Sequence, residues 1–258
     1  MHFPRFWALG QTDGFSSWRS SDLSFEDAYA HARQAAARIR DRVRSGAAQP
    51  EKYGYADRPL REQILHEMRD ATGALSAVVS RNSCGCHVLN TANAMFVDID
   101  LEDTGKRVED ALDRAKSWAY SHPGWNWRVY RTRAGLRLLA THALFDSRDP
   151  ACQAVFQAVD ADPLYRKLCG TQQSFRARLT PKPWRCGIQA PAPRWPYLDP
   201  RFEAAFQKWD AKYQHAANGY ATCQLLPDLG SGLVAEDVKP IIALHDNVTR
   251  ASSGLPLA

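Results

Sequence analysis

Two short apolar, aromatic-rich stretches near the start, Phe6–Leu9 and Phe15–Arg19, predict an edge strand or hairpin. Ser24, followed by Phe25, Glu26 and Asp27, has the form of an N-cap with acidic first-turn residues. The Ala/Arg-rich run behind it predicts a helix to about Arg44, ended by Ser45-Gly46. Pro59 suits the first turn of a second helix, Leu60 to about Asp70. A strand-rich stretch follows, with Leu75–Ser80, His87–Asn90 and Ala94–Asp100 as strands. Val108, Leu112, Ala115 and Ala119 recur at helical spacing and predict a helix over Lys106–Ser121, stopped by His122-Pro-Gly124.

Trp127–Thr132 and Leu136–Thr141 read as two strands meeting in a tight hairpin at Arg133-Ala-Gly135. Helices are predicted at Pro150–Val159 and around Leu164–Cys169, then a strand at Ser174–Thr180. Pro181–Pro200 holds six of the fifteen prolines and reads as an irregular crossing. A helix at Phe202–Gln214, a strand at Tyr220–Leu225 and a loose tail from Ser252 complete the pattern. The element order predicts an α+β fold with a central, largely antiparallel sheet flanked by helices. Residues 1–72 form an N-terminal strand and helix segment, 73–200 the core, and 201–258 a C-terminal helix and strand extension, together one compact domain.

Composition changes this picture little. Hydrophobic content of 45% and charged content of 24% are ordinary for a soluble protein. No stretch approaches the roughly 20 apolar residues that cross a bilayer, and the first residues do not resemble a secretory signal, so a cytoplasmic protein without a membrane partner is expected. Six cysteines are too sparse for a disulfide scaffold. Cys84, Cys86 and His87 have one residue too few between the thiols for a zinc knuckle, and buried free thiols are the plainer account.

The net charge of +5 is compatible with a polyanionic partner, but its distribution says more. Arginines gather at 128–137 and again at 176–185, whereas acids gather at 98–103. Side chains alternate across a strand, so Asp98 and Asp100 share one face while Met95, Val97 and Ile99 point into the core. Two adjacent carboxylates repel unless a cation neutralises them, and oxygen donors suit Mg²⁺ or Mn²⁺. Such an ion stabilises the charge that develops in phosphoryl or nucleotidyl transfer. A solvated strand edge produces the same Asp-x-Asp pattern; apolar flanks on both sides favour an interior strand.

Arg137 interrupts an apolar strand two residues after Gly135, a glycine that lets the backbone approach something closely. Its planar fork suits a phosphate; pairing with a core carboxylate is the other reading. Arg176, Arg178 and Thr180 share a strand face, and Lys182 and Arg185 extend the positive strip beside Trp184. A triphosphate or nucleic-acid contact uses such a strip, as does a plain basic surface.

Met95-Phe-Val-Asp-Ile-Asp-Leu101, a helix, and then Tyr130-Arg-Thr-Arg-Ala-Gly-Leu-Arg-Leu-Leu139 resemble the core of the archaeo-eukaryotic primase superfamily, bacterial primase-polymerases included. The resemblance covers about residues 75–185. It implies an RRM-like catalytic core that joins nucleoside triphosphates to a DNA or RNA end. It further implies Asp98 and Asp100 as the Mg²⁺ or Mn²⁺ pair and Thr132 and Gly135 as the hairpin signature. Arg137 stands where that family has a histidine. Phe175–Pro181 is similar to the later basic segment, so Arg176, Arg178 and Lys182 would join Arg137 on the triphosphate. The third carboxylate of the family has no obvious counterpart; Asp146 is the best placed, ahead of Asp160 and Asp162.

Two other functions fit the same residues: a non-catalytic nucleotide or nucleic-acid binder, and a metal-dependent nuclease. His142 reads as structural, and His66 as part of a solvated basic helix with Arg58, Arg61 and Arg69. Trp125, Trp127, Trp184 and Trp195 are candidates for base stacking, although most tryptophans fill cores. Neither a Gly-Lys-Ser/Thr phosphate loop nor a Gly-x-Gly-x-x-Gly motif occurs.

Overall fold

The computed structural model describes residues 1–47, 59–101 and 107–258. The chain divides into two compact units, His2–Arg61 and Glu62–Ala258, the latter together with Met1. In the first unit, β1 (Phe6–Thr12) and β2 (Phe15–Ser21) pair antiparallel through an Asp13-Gly14 turn in which both residues have positive φ. Helix α1 (Phe25–Arg44) is capped by the Ser24 hydroxyl, which accepts from the Asp27 amide. It buries the stripe Ala28, Ala32, Ala35 and Ala36.

The second unit is α+β and holds two antiparallel sheets where one was expected. The four-stranded sheet runs β3 (Gln63–Arg69), β4 (Leu75–Arg81), β5 (His87–Thr91), β9 (Phe175–Arg178). The five-stranded sheet has the order β10 (Cys223–Leu225), β7 (Asn126–Thr132), β8 (Gly135–Ala140), β6 (Phe96–Asp100), with β11 (Leu229–Gly230) also on β7. Between β6 and β7 runs α2 (Val108–Ser121), so β8 inserts between two strands joined by a helix. The expected start of that helix at Lys106 lies outside the described residues. Strand β8 is buried along its whole length, and β6 along its first half. One core of buried side chains serves both sheets, drawing on β4, β5, β6, β7, β8, β9, α2, α3 (Pro150–Ala158) and α4 (Pro163–Gln172).

Two expectations fail, and one helix was not expected at all. Leu60 to Asp70 contains strand β3, not a helix. Gln63, Leu65, Glu67, Met68 and Arg69 are good helix formers, but propensity differences are only tenths of a kcal/mol per residue. Pairing along the exposed edge of β4 outweighs them, through a ladder with two register shifts. His66 therefore sits on a strand, while Arg58 lies outside the described residues. The C-terminal tail is not loose: Leu257 bridges to Ala221, the Ala258 amide donates to the Ala221 carbonyl, and Ala258 is buried. Finally, beyond the expected α5 (Pro200–Ala217) lies a helix with no counterpart in the sequence pattern, α6 (Lys239–Thr249). Among the described residues no helix is long and apolar enough to cross a membrane.

Candidate anion and metal site

The site forms where β6 and β9, each an outer strand of its own sheet, come together. Tyr165 of α4 spans the seam: its hydroxyl donates to the Phe96 carbonyl of β6 at 2.7 Å and accepts from the Arg176 amide of β9 at 3.3 Å. Arg137 of β8 reaches across the same seam to the Arg178 carbonyl at 2.8 Å. The Asp162 amide donates to the Asp98 carbonyl at 3.0 Å, leaving the Asp98 side chain on the seam.

Asp98 and Arg137 are register partners in the β6–β8 ladder. Arg137 Nε donates to Asp98 Oδ1 at 2.8 Å and one Nη to Oδ2 at 3.4 Å; the guanidinium is 2% exposed and the carboxylate 37%. Burial opposes the charge on Arg137, but Asp98 outweighs it and the guanidinium stays fully protonated. Its remaining contact is with His245 Nε2 at 3.3 Å. His245 is fully buried, and its Nδ1 lies 3.1 Å from Asp246 Oδ1. Because guanidinium only donates, Nε2 accepts and Nδ1 carries the proton. Burial first, then Arg137, pushes His245 down to about 4, so it is neutral. Asp246 also accepts from Tyr130 at 2.6 Å and from Arg128 at 3.1 Å. Helix α6 thus covers the sheet face shared by Phe96, Tyr130 and Arg137, with the His245 ring 5.2 Å from Phe96 and 4.5 Å from Tyr130.

These contacts reassign the hairpin. Arg137, expected on phosphate, is committed to Asp98, to a backbone carbonyl and to His245. Gly135 lets the backbone approach β6: a Cβ there would lie 1.9 Å from the Ile99 carbonyl oxygen, so the close neighbour is a strand. Thr132 accepts from the Gly135 amide at 3.0 Å and closes the turn. Arg176 is buried against Glu62 at 2.8 Å, and Glu62 in turn accepts from Ser80 at 2.5 Å. Each of these groups has a structural partner that accounts for its presence.

Arg178 and Lys182 differ. Among the described residues neither forms an ion pair, and the one contact of the Arg178 guanidinium is with the Thr180 carbonyl at 3.0 Å. Burial, then the charges of Arg137 and Arg185, hold Arg178 below the ordinary arginine value. Burial, then Arg178 and Arg185, do the same to Lys182, with Asp100 opposing. A largely buried cation without a counter-ion is costly, and cations so placed are normally paired or meet an anion. Asp98 and Asp100 lie on one face of β6 beside them, Asp100 exposed and opposite Gly135.

As donors for a hard divalent cation the two carboxylates fit: Asp100 and the open edge of Asp98 offer oxygens on one face, with Arg137 fixing the other edge. Their number suits one ion. Among the described residues no three His, Cys, Asp or Glu side chains converge on a point. Asp146 is exposed, and the bonds from Arg148 hold its carboxyl down at about 2. Asp160 pairs with Arg114, and Asp162 caps α4.

His142 accepts from the Asn126 amide and packs on Trp125. Cys86 is buried and donates to the Pro181 carbonyl at 3.5 Å. The partners missed in the sequence, His245 and Asp246, lie on α6. Pro240 in the first turn and the spacing Ile241, Leu244, His245, Val248 were the available signals. Comparison of the chain with protein-family models, with curated proteins and with solved structures finds no match.

Proposed function

We propose that the seam binds the phosphates of a nucleoside triphosphate and supports metal-dependent nucleotidyl transfer to a nucleic-acid end. The observation that carries this reading is that Arg178 and Lys182, which form no ion pair among the described residues, lie beside the carboxylates of Asp98 and Asp100. A triphosphate supplies an anion for both cations. Asp100 and the open edge of Asp98 are the groups that would hold Mg²⁺ or Mn²⁺, which supplies charge stabilisation at the transferred phosphorus. Arg137 orients Asp98 in place of contacting the substrate. The split unit β6–α2–β7, with β8 between its strands, agrees with the RRM-like core that the resemblance to primase-polymerases implies.

The direct test is primer extension with Mn²⁺, comparing wild type with Asp100→Asn. Asp98 is a poorer target, because removing it leaves Arg137 buried without its counter-ion. Incorporation by wild type and its loss in an equally stable Asp100→Asn is the expected result; equal incorporation by both ends the catalytic reading. Degradation of the primer in place of its extension identifies the nuclease.

One observation favours a second reading. Arg137 already neutralises Asp98, and no third carboxylate joins the pair among the described residues, which suits a nucleotide-binding protein without turnover. That reading predicts nucleotide binding that falls in Arg178→Met, with no incorporation in any protein.

A further inference from the structure

Trp184 is the one exposed member of the eight tryptophans; the other seven are buried or half-buried. At 53% exposure it presents a wide apolar face to solvent, which folding would normally remove. Its backbone does not belong to a loose loop. Residues Pro183–Cys186 form a 3-10 turn whose two end residues are buried, closed by the Ile188 amide on the Pro183 carbonyl at 3.0 Å and by Gly187 at φ 74°. Just upstream, the Tyr213 hydroxyl of α5 donates to the Pro181 carbonyl at 2.6 Å and lies 2.8 Å from the Thr180 hydroxyl. Cys186 and Tyr213 belong to a small core of their own with Ala217 and Ala258, packed against Trp209 and Ile188. The indole is therefore displayed on a clamped turn.

The charged residues beside it in sequence are cations. Lys182 Nζ lies 5.6 Å from the centre of the Trp184 ring, Arg185 is the next residue, and no acidic residue occurs between 174 and 185. Lys182 and Arg178 form no ion pair among the described residues. Any partner of this turn meets an exposed indole with a cation beside it. A single nucleic-acid strand meets both: its phosphates match the cations, and any base has a π-face to stack.

From this we infer that Trp184, with Lys182, is a stacking platform for single-stranded nucleic acid, leading the strand to the seam of Asp98 and Arg178. The inference deepens the function proposed above and rests on it for what the strand does at the seam.

The test uses the full chain and oligo-dT, read by quenching of tryptophan fluorescence across a salt series. The wild type is expected to bind, with affinity falling as salt rises. Trp184→Ala is expected to weaken binding about tenfold, and Trp184→Phe, which keeps an aromatic face, to restore most of it. Binding of Trp184→Ala equal to wild type, measured by fluorescence anisotropy of labelled oligo-dT, overturns the platform, as does a Phe variant no better than Ala. Absence of oligo-dT binding by the wild type at low salt overturns it too. Nucleotide binding lost in Arg178→Met together with Mn²⁺-dependent incorporation lost in Asp100→Asn would still uphold the transfer reading in that case. Tight oligo-dT binding without incorporation sinks that reading alone.

Discussion

Arg137 and Asp98 face each other across the β6–β8 ladder, joined by a 2.8 Å bond between a guanidinium that is 2% exposed and a carboxylate that is 37% exposed. Two residues that the sequence marks for two different ligands, a phosphate and a metal, are thus first of all ligands of each other. Among the described residues, Arg178 of β9, in the other sheet, and Lys182 just beyond that strand form no ion pair.

Removing one member of this pair strands the other. Arg137→Ala leaves Asp98, the Arg178 carbonyl and His245 Nε2 without their donor and is expected to cost about 3 kcal/mol, the low end for breaking a buried pair because Asp98 is partly solvated. Arg137→Lys recovers little of this, since one ammonium cannot serve three partners fixed in a guanidinium plane. Urea denaturation of the three proteins measures both effects.

Arg178 behaves in the opposite way. Among the described residues its guanidinium pairs with no carboxylate, so Arg178→Met is expected to leave the melting temperature unchanged or higher. The same substitution should weaken triphosphate binding tenfold or more, the loss expected for charge-assisted bonds. Calorimetry with a nucleoside triphosphate, beside a thermal melt, reads the two outcomes. A melting temperature several degrees lower would show that Arg178 has a structural partner.

Gly135→Ala tests the strand contact without touching any charge. The added methyl would lie 1.9 Å from the Ile99 carbonyl oxygen, so β6 and β8 must separate. The expected destabilisation is about 1–3 kcal/mol or somewhat more. Because Asp98 and Asp100 ride on β6, binding at the seam should fall with it.

The buried histidines set an acid limit on stability. His245 and His87 are both held down to about 4, by burial first and then by Arg137 and Arg81 respectively. Above about pH 6.5 each is neutral in the folded and unfolded chain alike. As pH falls below that value the unfolded state takes up protons first, so stability declines until the folded pKa near 4 is reached. Each histidine contributes a decline of about 3 kcal/mol across this window. Urea midpoints between pH 7 and pH 4 measure the slope, and His245→Gln should remove about half of the share due to the two.

Much of this protein follows from spacing alone. Period-two alternation puts Asp98 and Asp100 on one face of a strand, and the same rule puts Arg176 and Arg178 together, because sidedness is a local property of an extended backbone. The hairpin at Gly135, the capped helix at Ser24 and the antiparallel α+β class are legible for the same reason. Pairing is not local. Asp98 and Arg137 are 39 residues apart, and Arg176 and Glu62 are 114 apart, so only strand register decides which arginines are neutralised. Register also makes β3 a strand despite its helix-forming residues. Side-chain packing brings α6, with His245 and Asp246, over the sheet face that carries Arg137. The amino-acid order alone determined which charges share a face; the tertiary structure decided which of them cancel, because an ion pair is made by proximity in space, and that left Arg178 and Lys182 beside Asp98 and Asp100.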